Sequence, residues 1–422
     1  MKKHIVSVLV IVSLLFFAVP MAFAGGQQET DEIILDFPTF WVGEDSKADM
    51  VEQLVNEFNE EHAGEIQVRI QPMPDVDGYR STVNTRISAG DPPDVFVFQP
   101  DPTTFGFYEA EGVLMDFREV FEDRWAGRFQ QSAVDQMTIN GETKSIPYEV
   151  GVTPIWYNER LFQEAGVDSF PETFEEAWEA FDALKANGVT PTSQMTGGAN
   201  AWTSMLWYSH IIGSIGGPNA WDQPLDHPQY EQAAEILLEL YSNDNTTADA
   251  VGGDAGVSSG HYLAERTAIF INGPWFIGRT RDDAPEVYEN TRIAPAPAVE
   301  GGEHGHQVAF AQSNLAAAHT DDPARREAVI EFMDWMTKPE NVAAITDDAG
   351  SLFSIDYEIE AGDDPLLQQF VQAQSNATFT IPHFEDEFEV AVVQQFGTAI
   401  EEMVLGGATP AEFVEILKDA QN

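Results

Sequence analysis

Apolar residues along this chain switch between two spacings. Glu32 to Phe37 is an apolar run with the shape of a buried strand. Met50, Val51, Leu54, Val55 and Phe58 then recur on one face of a helix, with Ser46 and Asp49 ahead of them as a capping pair. Ile66 to Ile70 alternates like a second strand, Tyr79 to Ala89 reads as a helix, and Asp94 to Phe98 is a third strand. A β-α-β-α-β order predicts a parallel sheet with helices on both faces. Ligands of such sheets bind beyond the carboxyl ends of the strands, here Phe37 to Glu44 and Phe98 to Asp101.

The alternation continues. Thr173-Phe174-Glu175-Glu176 is a capping box opening a helix to about Ala186, and Thr409-Pro410-Ala411-Glu412 is another with proline at the first helical position. Between them the spacing predicts helices near 201–212, 226–242, 323–336, 339–346 and 385–404, and short strands at 267–271, 291–294 and 307–311. No repeat of solenoid period and no low-complexity linker interrupts the pattern, so two α/β lobes joined by several strands are expected.

The start of the chain reads differently. Lys2 and Lys3 precede an apolar run from Ile5 to Val19, and Ala22-Phe23-Ala24 has the small-x-small form cut by signal peptidase. The run is short for a membrane span, which needs about 20 residues. Residues 1–24 are therefore expected to be an export signal cleaved before Gly25, leaving a soluble exported chain.

Composition narrows the function. The 71 acidic residues against 20 Lys and Arg give a formal net charge of −51, which excludes nucleic acid and argues against an anionic membrane as partner. Phosphate and other anions are disfavoured without a local basic patch; Arg69, Arg80 and Arg86, the nearest candidates, are expected on helices or outer strands. The absence of cysteine removes disulfides, thiolate zinc, a cysteine nucleophile and a lipidated cysteine anchor. Catalytic elbows, metalloprotease, phosphate-loop and calcium-loop motifs are missing too, and no cofactor or metal is expected. Glu303, His304 and His306 lie in a Gly-rich stretch that reads as a solvated loop.

What stands out is tryptophan at turns. Trp41 precedes Gly43-Glu44-Asp45, Trp202 follows Gly197-Gly198, and Trp275 follows Asn272-Gly273-Pro274. An aromatic held at a turn offers a flat apolar face, and a nearby carboxylate supplies strong acceptors. A sugar, with an apolar ring face and a rim of hydroxyls, fits that pair.

Five stretches carry a family resemblance: Phe40-Trp41 with Phe58-Asn59-Glu60-Glu61-His62; Ala89-Gly90-Asp91-Pro92-Pro93-Asp94-Val95; Ile146-Pro147-Tyr148 through Trp156-Tyr157-Asn158 to Pro171-Glu172-Thr173-Phe174; Ala268 to Trp275; and Ala328 to Thr337 with Pro339-Glu340 and Gly406 to Ala411. In these the chain resembles the extracellular solute-binding proteins of ABC importers, in the branch with maltose- and other sugar-binding proteins. The resemblance implies a type II periplasmic binding protein: two doubly wound α/β lobes, a multi-strand hinge and a ligand cleft between them. Crossovers are implied near Tyr148–Thr153, Phe310–Gln312 and Asp348–Ser351. Residues 25–148 and 311–350 would form the N-terminal lobe, and 149–310 and 351–422 the C-terminal lobe.

By position, Trp275 resembles the aromatic platform of the second lobe and Asp101 the hydroxyl-accepting carboxylate of the first. Glu44 or Asp45 lies in a loop that also accepts hydroxyls; Trp41, Glu149 and Trp202 are further candidates. Two departures stand out: Phe98 replaces a tryptophan, and Phe384 or Phe388 stands where some relatives stack one. The implied function is a monomeric periplasmic receptor, without catalysis, that captures a mono- or oligosaccharide and delivers it to a permease. A polyamine or other cationic solute is the alternative, since aromatics and carboxylates also suit cations; four or more inward carboxylates would favour it, and several tryptophans with few carboxylates would favour sugar. A secreted carbohydrate-active enzyme would instead need two carboxylates about 5–10 Å apart across the cleft.

Overall fold

The computed structural model describes residues 32–100, 102–197, 201–359 and 364–421. The expected export signal and Asp101 lie outside the described residues.

Ile33–Thr39 and Ile66–Pro72 pair in parallel from Ile33↔Ile66 onward, and the helix Ala48–Glu61 buries Val51, Leu54, Val55 and Phe58 against the same core. This much follows the predicted β-α-β unit. The third strand, Val95–Phe98, joins through side chains: the Asp36 N–H donates to the Asp94 carboxylate at 3.0 Å, and the Asp94 N–H to that of Asp36 at 2.9 Å. Its ladder partner comes from far along the chain. The 11-residue strand Gln307–Ala317 runs antiparallel to it, Leu315 facing Val97, so the sheet is mixed.

That long strand is the spine of the molecule. Near its start it pairs in parallel with Thr380–Ile381; along most of its length it pairs antiparallel with Ile146–Val152, with register shifts around Ser313. The sequence predicts a strand only over 307–311, because Gln312, Ser313 and Asn314 break the apolar pattern. Ser313 and Asn314 are nevertheless buried, and their donors are used: Ser313 Oγ donates to Glu149 at 3.1 Å and Asn314 Nδ2 to Ser145 Oγ at 3.0 Å, while Asn314 Oδ1 has no partner among the described residues. A buried polar residue with partners is compatible with a central strand.

In the second lobe, Ile155–Asn158 is flanked by Ile269–Ile271 and Thr291–Ala294, both antiparallel. Ile155–Asn158 leads away from the hinge, and Ile269–Ile271 returns to the turn before Trp275; strands of opposite direction can only pair this way. Helices at Trp202–Gly216, Pro228–Tyr241, Pro323–Met336 and Pro339–Ala349 match their predicted places. The segment 385–404 divides into Phe384–Glu387 and Val390–Val404. Thr409 closes a complete capping box, whereas the Glu176 carboxylate reaches back one residue further, to the Glu172 N–H at 2.9 Å.

The apolar residues form two main cores. One gathers Leu35, Phe37, Phe58, Val97 and Tyr148 with Leu315, Phe332, Met333, Ile345 and Phe353. The other gathers Trp207, Tyr208, Leu237, Ile269, Phe384, Phe396 and Phe413. A smaller cluster around Trp156, Phe270, Ile277 and Phe370 sits beside Leu352.

Candidate functional site

The strand Ile146–Val152, the long strand and Leu352–Phe353 run side by side between the cores, with Phe353 opposite Glu149. Glu149 binds all of them together. It is 1 % exposed, accepts from Ser351 Oγ at 2.7 Å and Ser313 Oγ at 3.1 Å, and faces Lys47 Nζ at 3.5 Å. Burial works against the Lys47 ammonium, but Asp45, at 3.3 Å, and Glu149 outweigh it and raise its pKa. Glu149 and Asp45 are thus committed to a buried cation. At Gly350, φ is +86° and a Cβ would stand 2.5 Å from the Pro274 carbonyl oxygen, so a glycine is required where the third crossing begins.

Above this hinge the lobes face one another. The second lobe contributes four rings in a closed circuit. Trp202 and Trp275 have centroids 6.0 Å apart, Trp275 and Phe310 6.2 Å, Phe310 and His383 5.3 Å, and His383 and Trp202 6.0 Å. Trp202, Trp275 and Phe310 are partly exposed, and His383 is buried. Two glycines make room. A Cβ on Gly273 would lie 2.2 Å from the Trp275 ring, and one on Gly151, directly opposite Phe310, would lie 2.7 Å from that ring. The glycine of Asn272-Gly273-Pro274 is therefore required by the indole lying across it, since its own φ of −94° is ordinary. Trp275 stands in the short helical turn Pro274–Phe276 that leads into the helix Ile277–Asp283. Trp202 opens its helix after Ala201, a non-glycine residue at φ +45°.

The first lobe presents polar groups. The Arg80 guanidinium donates to Gln99, at the end of the third strand, and lies 3.7 Å from Glu385 of the second lobe. Glu44 lies 3.5 Å from Arg279 of the second lobe. Ser46 does not cap its helix, whose N-cap is Lys47 without a side-chain bond; its hydroxyl instead donates across the cleft to the Trp275 carbonyl.

Of the residues singled out in the sequence, the structure brings Trp202 and Trp275 together. Trp41 is not a displayed face: it is buried against Tyr148 and Lys47, and its Nε1 has no partner among the described residues. Phe388 packs inward on Trp221 and Phe384, because the chain breaks helix there. Five residues earlier, His383 takes the place beside Trp202. Sequence reasoning missed His383, Phe310 as a ring, and Arg80 as a cleft residue; Gly151 opposite Phe310 is a signal only once the strand pairing is known. His306 is buried, its Nε2 2.9 Å from the His210 carbonyl oxygen, while Glu303 and His304 are exposed. A cavity of about 310 Å³ lined by Phe129, Gln130, Leu352, Asp356 and Tyr357 lies elsewhere, and none of the four rings borders it.

Comparison with known proteins fits this architecture. The multiple sugar-binding protein of Streptococcus mutans is 22 % identical over 371 residues, covering 82 % of this chain and 83 % of the relative. The xylose/arabinose-binding protein of Haloferax volcanii is 24 % identical over 306 residues, 68 % of this chain and 62 % of the relative. Among solved structures, a chitin oligosaccharide binding protein superposes with a TM-score of 0.84 at 20 % identity, covering 93 % of this chain and 98 % of that one. A raffinose-bound solute-binding protein superposes at 0.74 with 19 % identity, covering 92 % and 99 %. Residues 44–343 match the family described as bacterial extracellular solute-binding protein, and the chain, two-lobed and hinged in the type II manner, belongs to that family.

Proposed function

We propose that this protein is the solute-binding component of an ABC importer, that it captures a neutral mono- or oligosaccharide between its lobes, and that it delivers the sugar to a membrane permease. It would be exported as a monomer, cut after Ala24 and, lacking cysteine, free of a lipid anchor. Residues 25–148 and 311–350 would move as one lobe against 149–310 and 351–422, with Phe353 and Ile355, just past the crossing, staying packed in the core of the first.

The observation that carries the sugar reading is the contrast at the cleft. Partly exposed rings crowd one side, while Glu44, Asp45, Glu149 and Glu385 each already face a cation of the protein itself. A polyamine would have to displace those cations, whereas a neutral pyranose needs only the ring faces and hydrogen bonds. Arg80, held by Glu385, is likewise no open anion site. The sugar-binding names of the relatives point the same way. Ligand binding would draw the lobes together by favouring the closed form, the state a permease can distinguish.

A thermal-shift panel on residues 25–422 tests this reading, with mono- and oligosaccharides, putrescine and spermidine at low and high salt. A ligand at about 100 times its Kd adds roughly 2.7 kcal/mol. The expected outcome is stabilisation by one class of sugar, abolished in Trp275→Ala. Stabilisation by polyamines alone would replace the reading with the cationic one.

A further inference from the structure

His383 is the buried member of the four-ring circuit and the one whose ring can supply a hydrogen-bond acceptor, since an indole only donates. It is 1 % exposed, its ring stands 5.3 Å from Phe310 and 6.0 Å from Trp202, and its Nε2 has no partner among the described residues. A buried polar atom without a partner is unfavourable, and a ligand that parts the partly exposed rings around it is the natural group to satisfy it. The surroundings of the other ring nitrogen bias the polarity. Nδ1 lies 3.9 Å from the Glu385 carboxylate, too far for a hydrogen bond, but the nearby negative charge favours the proton on Nδ1 and a lone pair on Nε2. Burial pushes the His383 pKa down to about 3, so the imidazole is neutral at physiological pH.

We propose that His383 is a specificity-determining residue whose Nε2 accepts the proton of one sugar hydroxyl while the sugar ring lies against Trp202, Trp275 and Phe310. The inference rests on the sugar reading and goes beyond it by stating what the ligand must offer at this point. It must offer a donor: a hydroxyl qualifies, whereas an ether oxygen, a hydrogen or a fluorine does not. A stacking platform alone tolerates such changes, because every pyranose has an apolar face, but an unfilled buried acceptor rejects them.

The test starts from maltotriose, raffinose, xylotriose and N,N′-diacetylchitobiose, taking the one that stabilises the protein most. Calorimetric titration then compares it with its monodeoxy and monodeoxyfluoro analogues in wild type and in His383→Phe, which keeps a ring and loses the nitrogens. At one hydroxyl position, wild type is expected to lose roughly 10- to 100-fold in affinity with both analogues. His383→Phe is expected to bind the parent sugar that much more weakly and to bind all three alike. Discrimination that persists in His383→Phe overturns the proposal while leaving the sugar reading intact; silence of every sugar, or stabilisation by choline instead, overturns both. Should His383→Phe not fold, ¹⁵N spectra of histidine-labelled wild type decide. The Nε2 resonance must move with the parent sugar and stay with the deoxy analogue that binds weakly, and an Nε2 signal indifferent to the parent sugar sinks the assignment.

Discussion

The first lobe lines the cleft with charges that already have partners, and the second lines it with rings whose faces are still open. Arg80, Glu44, Asp45 and Lys47 are held by ion pairs, two of which reach Glu385 and Arg279 on the other side. Trp202, Trp275 and Phe310 touch one another only at the margins of a circuit. The difference separates two tasks. Paired charges fix how the lobes meet and add little attraction for a neutral solute, whereas ring faces supply attraction without dictating direction.

The largest effect is expected at the base of the charged side. Glu149→Ala removes an acceptor from two hydroxyls and a counter-charge from a buried lysine, and breaking such a buried pair costs about 3–5 kcal/mol. Urea unfolding would register it as a lower midpoint; a loss under about 1 kcal/mol would mean Asp45 alone suffices for Lys47. A smaller effect, confined to the ring side, is expected of Gly273→Ala. The backbone there accepts alanine, but the new Cβ must push the Trp275 indole aside. Sugar affinity should drop about tenfold, some 1.4 kcal/mol, with the melting temperature of the free protein nearly unchanged. Unaltered affinity would show that the indole's position is immaterial. The smallest effect belongs to Arg80→Gln combined with Glu385→Gln. This partly exposed pair is worth about 1 kcal/mol or less, so affinity at 0.5 M salt should match wild type within about threefold. A larger loss at high salt would show that Arg80 touches the ligand, and the contrast between the two sides would fall.

How much of this was legible in the sequence follows from the range of each interaction. Helices with their own caps, such as Pro410–Ala420 after Thr409, are local objects, and the residues that make them lie within one turn. Trp202 and Trp275 stood out because glycine and proline beside an aromatic are a local signal too. His383 carries no such mark. It reaches the site only because Pro382 and the Phe384–Glu387 turn set it beside Trp202, nearly two hundred positions away. Phe388 was a candidate only by its position where some relatives stack a tryptophan, and the break in the helix before Val390 folds it inward. Ser46 looked like a cap by spacing, but its hydroxyl found an acceptor on the opposite lobe. The second half of the long strand was hidden because the Ser313 and Asn314 donors are taken up by Glu149 and Ser145, partners that spacing along the chain does not reveal.

The core that holds Leu35 and Phe37 is completed by Leu315, Phe332, Ile345 and Phe353. The apolar residues buried between the hinge strand Ile146–Val152 and the long strand belong to the other clusters, so the first lobe cannot close until a large part of the second has already been made. A chain emerging amino end first can pair its two earliest strands, but its third strand waits for the long strand and its first core stays incomplete until residue 355 has followed. Closing so long a loop adds only logarithmically to the free-energy cost, but contacts this distant form slowly. The consequence is a nascent protein that stays threadable, open to chaperones and to passage through a narrow export channel, for as long as its own spine is still being made.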